Sequence, residues 1–385
     1  MHRIPIGPRV GLSDLESWKT LDPVIEFTVS KNSGFQVFVE GVATSWLYQL
    51  VSEGTRIEIA TTCNVLQNPD AGELSDGLSF FRSLFGSALI HMATVVRDDQ
   101  GEVRTAALRE LAWREITTGR GHIGSGALRC LVAREPDLPV PECLIESSRA
   151  QFPSRRRFVS WLAECGRKLG AGQEFGATRT EESVATFLYE AARNSHEHGR
   201  HAPEFSRRSG IRGVIAQKIR VARQGELAGR TDLSPFLKDY FERAWAFREK
   251  DLLFVAFTVT DFGPGIHRSL PPIDGELPRE CLARAFLPGE SRKPSGSALG
   301  RGEGLPKLLE AYRGLKALLF VQAAELLTFA DFSLLSPSSD ISEVAWGDFP
   351  ERHPNRIGTS LTLVWPVDTD RQGELEFPSG AEPDG

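Results

Sequence analysis

Hydrophobic and polar positions divide the chain into stretches of two different periods. Across residues 24–60, VIEFTV, FQVFVEG and RIEIAT alternate apolar with polar residues, with Gly, Asn and Ser between them, and this period of two predicts strands. From Ser75 to about Val95 the spacing changes: Leu78, Phe81, Phe85, Leu89 and Met92 recur at helical intervals, which predicts a helix. Asp98 to Gly101 reads as a turn and residues 103–117 as a further helix. After PDLPVP (residues 136–141), whose prolines resist both helix and sheet, a helix is expected around Arg155–Leu169. Another is expected from Arg179, where Thr178 and Glu181 have capping-box spacing. Its apolar stripe is Val184, Phe187, Leu188, Ala191 and Ala192, and Gly199 is placed to end it.

The second half is richer in strands. IRGVIAQKIRV (211–221) reads as one, followed by a polar stretch and a helical segment, Leu233–Glu249, taken here as a surface excursion rather than a lid. Leu252–Val259 is a continuous apolar run of β-formers, the pattern of an interior strand. A helix from about Gly304 to Arg313 and the strands KALLFVQA, ELLTFADF and GTSLTLVWPV complete the reading. The expected class is α/β (α+β): a mixed α/β domain over 1–140, a larger domain over 141–368, and a disordered acidic tail over 369–385.

Composition narrows the function. The chain has 385 residues, a net charge of -6 and 25% charged residues, so nothing marks it for nucleic acid. Its five cysteines contain no C-x-x-C pair, which argues for reduced thiols and against a disulfide frame or zinc knuckle. The first ten residues lack the apolar core of a signal peptide and no run has membrane-spanning length, so a soluble, cytoplasmic protein is expected.

The chemistry gathers around Leu252–Ile266. Counting by twos, Leu253, Val255, Phe257, Val259 and Asp261 share one face of the strand. A carboxylate in line with apolar side chains is costly unless donors meet it, and Gly263 and Gly265 then remove side chains where a ligand would approach. Glu190 and Asn194 lie four apart on a helix and share a face; a Glu there can polarise a water and an Asn oxygen suits Mg²⁺. Gly300, Gly302 and Gly304, followed by Leu305, open a helix whose free N–H groups suit a polyphosphate. Gly358-Thr359 precedes the last strand, with a hydroxyl able to donate toward Asp261 or a ligand.

In that order, helical E-x-x-x-N, strand-end D-x-G-x-G-I, G-x-G-x-G before a helix and G-T before a final strand, the chain resembles the GHKL ATPase superfamily of gyrase, heat-shock chaperones, histidine kinases and MutL. The resemblance spans about Arg155–Val367. NSHEHG after Glu190 is similar to the anti-sigma-factor serine kinases, and FLPGESR (286–292) to the family's lid. It implies a Bergerat-type α/β sandwich binding ATP and Mg²⁺. Glu190 would be the general base, Asn194 the Mg²⁺ ligand, and Asp261 the acceptor for the adenine amine. Gly263, Gly265 and Ile266 would line the base, Gly300, Gly302, Gly304 and Leu305 the phosphates, and Thr359 would assist near adenine. The interval between Asn194 and Asp261 is longer than the resemblance leads one to expect, because of the 223–250 insert, and the lack of a phospho-acceptor histidine helix disfavours a sensor histidine kinase.

Other readings have less behind them. Gly119-Arg-Gly121-His-Ile-Gly124 spells a dinucleotide fingerprint but follows a helical pattern rather than a strand. Asp261-Phe262-Gly263 spells the kinase D-F-G without its catalytic-loop partners, and no Walker phosphate loop is present. His196 and His198 point apart on one helix, which disfavours a metal cluster with His201. Three functions stay open: an ATP hydrolase or protein kinase, a non-catalytic ATP-dependent switch acting on a protein partner, and an interaction protein without ligand. A protein partner or substrate is expected, and a homodimer is an open option.

Overall fold

The computed structural model describes residues 1–18, 22–30, 33, 35, 39–62, 80–101, 103–106, 108–109, 127–133, 154–160, 179–198, 211–221, 235–245, 252–271, 273–286, 315–335, 344, 346–349 and 357–367. Two sheets carry the fold. The first is parallel, in the order β1 (His2–Ile6), β2 (Val24–Val29), β3 (Arg56–Thr61), β4 (Val95–Arg97). Its connections include the helices α1 (Leu12–Ser17), α2 (Val39–Ser52) and α3 (Leu84–Met92). Ile25, Phe27 and Val29 of β2 are fully buried, and α2 meets this core with Val39, Val42, Ala43, Trp46, Leu47 and Leu50.

The second sheet has seven strands, every pairing antiparallel. Its strands in chain order are β5 (Ala127–Ala133), β6 (Ile211–Val221), β7 (Leu252–Asp261), β8 (Leu318–Ala323), β9 (Leu326–Asp331), β10 (Trp346–Asp348) and β11 (Thr359–Val367). They lie side by side as β10-β9-β8-β11-β7-β6-β5. The sheet therefore takes one edge strand from ahead of the proline stretch at 136–141.

Alternation along β7 sends its residues to two cores. Val255, Phe257 and Val259 pack with α4 (Arg179–His198) and α6 (Pro278–Arg284), while Phe254, Ala256 and, just beyond the strand, Phe262 face the core shared with α2 and α5 (Pro235–Trp245). Helix α2 touches both β7 and β11, and α3 touches β3 as well as β5 and β6, so one helical layer serves two sheets.

Most expected elements are found. All five residues of the α4 stripe are buried, and β6, β7, β8, β9 and β11 occupy their expected ranges. Asp98–Gly101 is a turn, with Gly101 at φ 77° and Asp98 Oδ1 accepting from the Gln100 N–H at 3.0 Å. Two expectations fail. FQVFVEG is not a strand over its whole length: Val39–Gly41 begin α2, whose apolar positions recur every three or four residues. Over its described part, from residue 80 on, the helix expected from Ser75 to about Val95 is a short 3₁₀ turn at Phe80–Arg82, then α3 capped by the Ser83 hydroxyl, then β4. The expected helical N-cap at Thr178, Gly199, the helix after Gly304, Gly119–Gly124 and the tail lie outside the described residues.

The segment at 233–249 is also more than a surface excursion. Its helix α5 buries Leu237, Tyr240, Phe241 and Ala244 against the back of the large sheet, and Phe236 stacks on Phe329 at 4.1 Å. The Tyr240 hydroxyl donates to Lys316 O at 2.9 Å and approaches Val364 O at 3.3 Å. Burial, reinforced by Asp331, holds its pKa well above 10, so the phenol stays a donor. Tyr240→Phe leaves these buried carbonyls without the hydroxyl and is expected to lower stability by about 1–2 kcal/mol, read as a shift in the urea midpoint at unchanged slope.

Candidate functional site

The strand β7 delivers Asp261 to the end of an apolar face, as its pattern requires. The residue is 8% exposed, and its Oδ1 accepts from the Gly263 N–H at 2.9 Å, which fixes the carboxylate over the turn that follows. The antiparallel register sets Thr359 directly opposite Asp261, with Ala323 of β8 next in the same row. Thr359 shares the face of Leu361 and Leu363, which pack in the same core as Val259. The expected proximity of the strand-end Asp and the G-T threonine is therefore present in the pairing itself.

The two motif segments are also tied through the backbone. Gly358 donates to Gly263 O at 2.6 Å, and Ala324 donates to Gly358 O at 2.8 Å. Gln322, a residue without a role in the sequence reading, extends this bracket: its side-chain amide donates to Ala324 O at 2.8 Å and lies 3.4 Å from Ile357 O. Gly265 has φ 95°, and a Cβ there would sit 3.2 Å from the Ala324 N and 3.3 Å from the Ala323 carbonyl carbon. A glycine is thus required at 265 by the backbone and by the β8–β9 turn, whether or not a ligand approaches. Ile266 follows, half-buried against the same core.

Helix α4 crosses β6 and β7 on this face. Its buried side carries the apolar stripe and Ser195, whose hydroxyl points to the Thr260 carbonyl at 3.5 Å. That contact brings the helix to the end of β7, one residue from Asp261. Glu190 and Asn194, a turn apart, are both half-buried beside the stripe. Gly300, Gly302, Gly304 and Leu305 lie outside the described residues, as do residues 287–292 of the lid-like segment; Phe286 is buried. Among the described residues no cluster of three or more His, Cys, Asp or Glu side chains is arranged to hold a metal, and no helix is long and apolar enough to cross a membrane. An oxygen site for Mg²⁺ built from an Asn amide, phosphate and water needs no such cluster. Compared with known proteins, the chain gives no significant match to a family model, a curated protein or a solved structure.

His267 follows the motif directly and was missed by the sequence reading, which offered no periodic signal for it. It is 6% exposed, neither ring nitrogen has a hydrogen-bond partner among the described residues, and Glu325 lies 3.8 Å from Nε2. Burial lowers its pKa to about 4, with Glu325 opposing the shift and Arg268 adding to it. The folded protein therefore takes up this proton later than the unfolded chain, whose histidine titrates near 6.5. The neutral ring's contribution is therefore intact above about 6.5 and is lost as pH falls toward about 4. Wild-type stability is expected to fall relative to that of His267→Leu over that window and to level off below it, measured by urea unfolding at stepped pH.

Proposed function

We propose that the chain is an Mg²⁺-ATP-binding enzyme of the GHKL type that hydrolyses ATP or transfers its terminal phosphoryl group to a protein hydroxyl. One observation carries the reading: a nearly buried carboxylate, Asp261, ends an apolar strand face beside Thr359, under a helix that bears Glu190 and Asn194. Such an acid, shielded from solvent and oriented by the Gly263 N–H, is suited to accepting from a donor on a base. Asp261 would accept from the exocyclic amine of adenine, with Gly263, Gly265 and Ile266 along the edge of the base and Thr359 beside it. Asn194 would ligate Mg²⁺, which supplies charge neutralisation for the phosphates. Gly300, Gly302, Gly304 and Leu305 would present backbone N–H groups to those phosphates at the start of a helix. Glu190 would take the proton of the attacking water or hydroxyl as its oxygen bonds to the terminal phosphorus and the bond to the bridging oxygen of ADP breaks. A protein substrate or partner belongs to this proposal.

Calorimetry with ATP, ADP and GTP tests the base-recognition half. Wild type is expected to prefer adenine nucleotides, and Asp261→Asn, which replaces an acceptor with a mixed donor and acceptor, is expected to lose that preference. Equal affinity for all three in wild type would remove the assignment of Asp261. Turnover tests the other half: Glu190→Ala is expected to lower Mg²⁺-dependent ATP consumption by about 10²–10⁴-fold with binding retained. Undiminished turnover would remove Glu190 as the base.

A further inference from the structure

Helix α2 belongs to the parallel-sheet half of the chain, yet one of its faces lies on the back of the candidate site. Gly41, Ser45 and Tyr48 are spaced i, i+4, i+7 and so form one stripe, turned away from the apolar positions that meet the parallel sheet. Each makes a specific approach. A Cβ at Gly41 would overlap the Ser360 hydroxyl and come to 3.0 Å from the Thr258 methyl. Ser45 stands against Gly358, where a Cβ would lie 2.7 Å from the Ser45 Oγ and 2.8 Å from the Asp261 carbonyl. Tyr48 stacks on Phe262, ring centroids 4.4 Å apart and planes 9° from parallel.

These three contacts fall on both halves of the site. Phe262 lies inside the Asp261–Gly265 turn, and Gly358 is the residue that donates to Gly263 O. The seam they form is one of close approach. Thr44 and Ser45 direct their hydroxyls back to Glu40 O and Gly41 O of their own helix. Opposite them, the row Thr260–Ser360–Gln322 runs across three strands in register, and its buried Thr260 Oγ1, Ser360 Oγ and Gln322 Oε1 have no hydrogen-bond partner among the described residues. Steric fit, rather than a ladder of bonds from this row, sets how near the helix comes.

We propose that Gly41, Ser45 and Tyr48 are positioning residues for the adenine end of the candidate site, holding the Asp261–Gly265 turn and the Gly358 turn from behind; the role rests on the nucleotide reading above. The parallel-sheet half thereby sets the geometry of a site whose ligand-facing residues all lie in the other half.

The test uses the full chain. Gly41→Ala favours the helix intrinsically by about 1 kcal/mol, so a loosened site in this variant comes from the seam and not from the helix. It is expected to speed hydrogen exchange at the Gly358 and Gly263–Ile266 amides and to weaken ATP about tenfold in calorimetry. Adding Ser360→Ala removes the hydroxyl that the new methyl meets and is expected to restore both readouts toward wild type. Tyr48→Phe, which keeps the ring stack, should stay closer to wild type in both readouts than Tyr48→Ala, which should resemble Gly41→Ala; this pair decides the matter if Gly41→Ala does not fold. Wild-type exchange and ATP affinity in Gly41→Ala and Tyr48→Ala would overturn the positioning role while leaving the nucleotide reading intact. A loss that Ser360→Ala fails to relieve would overturn the Gly41 contact as its cause. Absence of ATP binding in wild type would overturn the nucleotide reading, and the role with it.

Discussion

The pairing of β7 with β11 is the constraint from which the candidate site follows. It runs unbroken from Leu253 opposite Val367 to Asp261 opposite Thr359, near the middle of the large sheet. Because side chains alternate, a slip of one residue in either strand would exchange that strand's two faces. In β7 it would move Asp261 toward α2 and expose Thr260 to α4. The register is held at several points along its length: Phe257 stacks on Trp365 at 5.5 Å on one face, and the Thr258 and Thr362 hydroxyls bond at 2.7 Å on the other. Beyond the end of the ladder, Gly358 donates to Gly263 O. Cross-strand pairs of this kind decide register because only one alignment satisfies all of them.

How much of this was legible depended on the range of the interaction. The α4 stripe and the face of β7 carrying Asp261 follow from local periods, and both are found as read. That Asp261 and Thr359 occur in a family-like order is a property of the sequence; that they sit opposite each other is a property of the register, which no local pattern states. Helix α2 was missed for a physical reason. A helix between two sheets needs apolar or small residues on both sides, so Gly41, Thr44 and Ser45 interrupt the one-sided stripe that marks a surface helix. The β-branched Val39 and Val42 at its start lengthen the apparent alternation of the preceding residues. Even so, Val39, Val42, Ala43, Trp46, Leu47 and Leu50 keep helical spacing, and a longer window would have found it.

Glycines show the same division. Gly263 and Gly265 were read as clearing space for a ligand, but the positive φ of Gly265 and its closeness to Ala324 make glycine necessary there on structural grounds. Gly358 likewise has φ 88° and is closed in by Ser45 and the Asp261 carbonyl. Glycine spacing alone is therefore weak support for a nucleotide, and the burden falls on Asp261, Asn194 and Glu190, whose side chains these backbone requirements do not explain.

The two faces of the site strands handle polarity in opposite ways. On the α4 side a single carboxylate is nearly buried and oriented by a backbone donor. On the α2 side three neighbouring polar side chains each keep a buried atom without a partner among the described residues, where such a group costs about 1–3 kcal/mol. An apolar row at 260, 322 and 360 would avoid that cost and adhere to α2 through its area. What the polar row retains is the Gln322 bracket on Ala324 and Ile357 and the small Ser360 under Gly41, both of which keep the Gly358 turn close to Gly263. Local rules that fail together at one place are expected where geometry matters more than stability. Here they fail directly behind Asp261 and Thr359, which ties the unusual seam to the same few residues as the candidate chemistry.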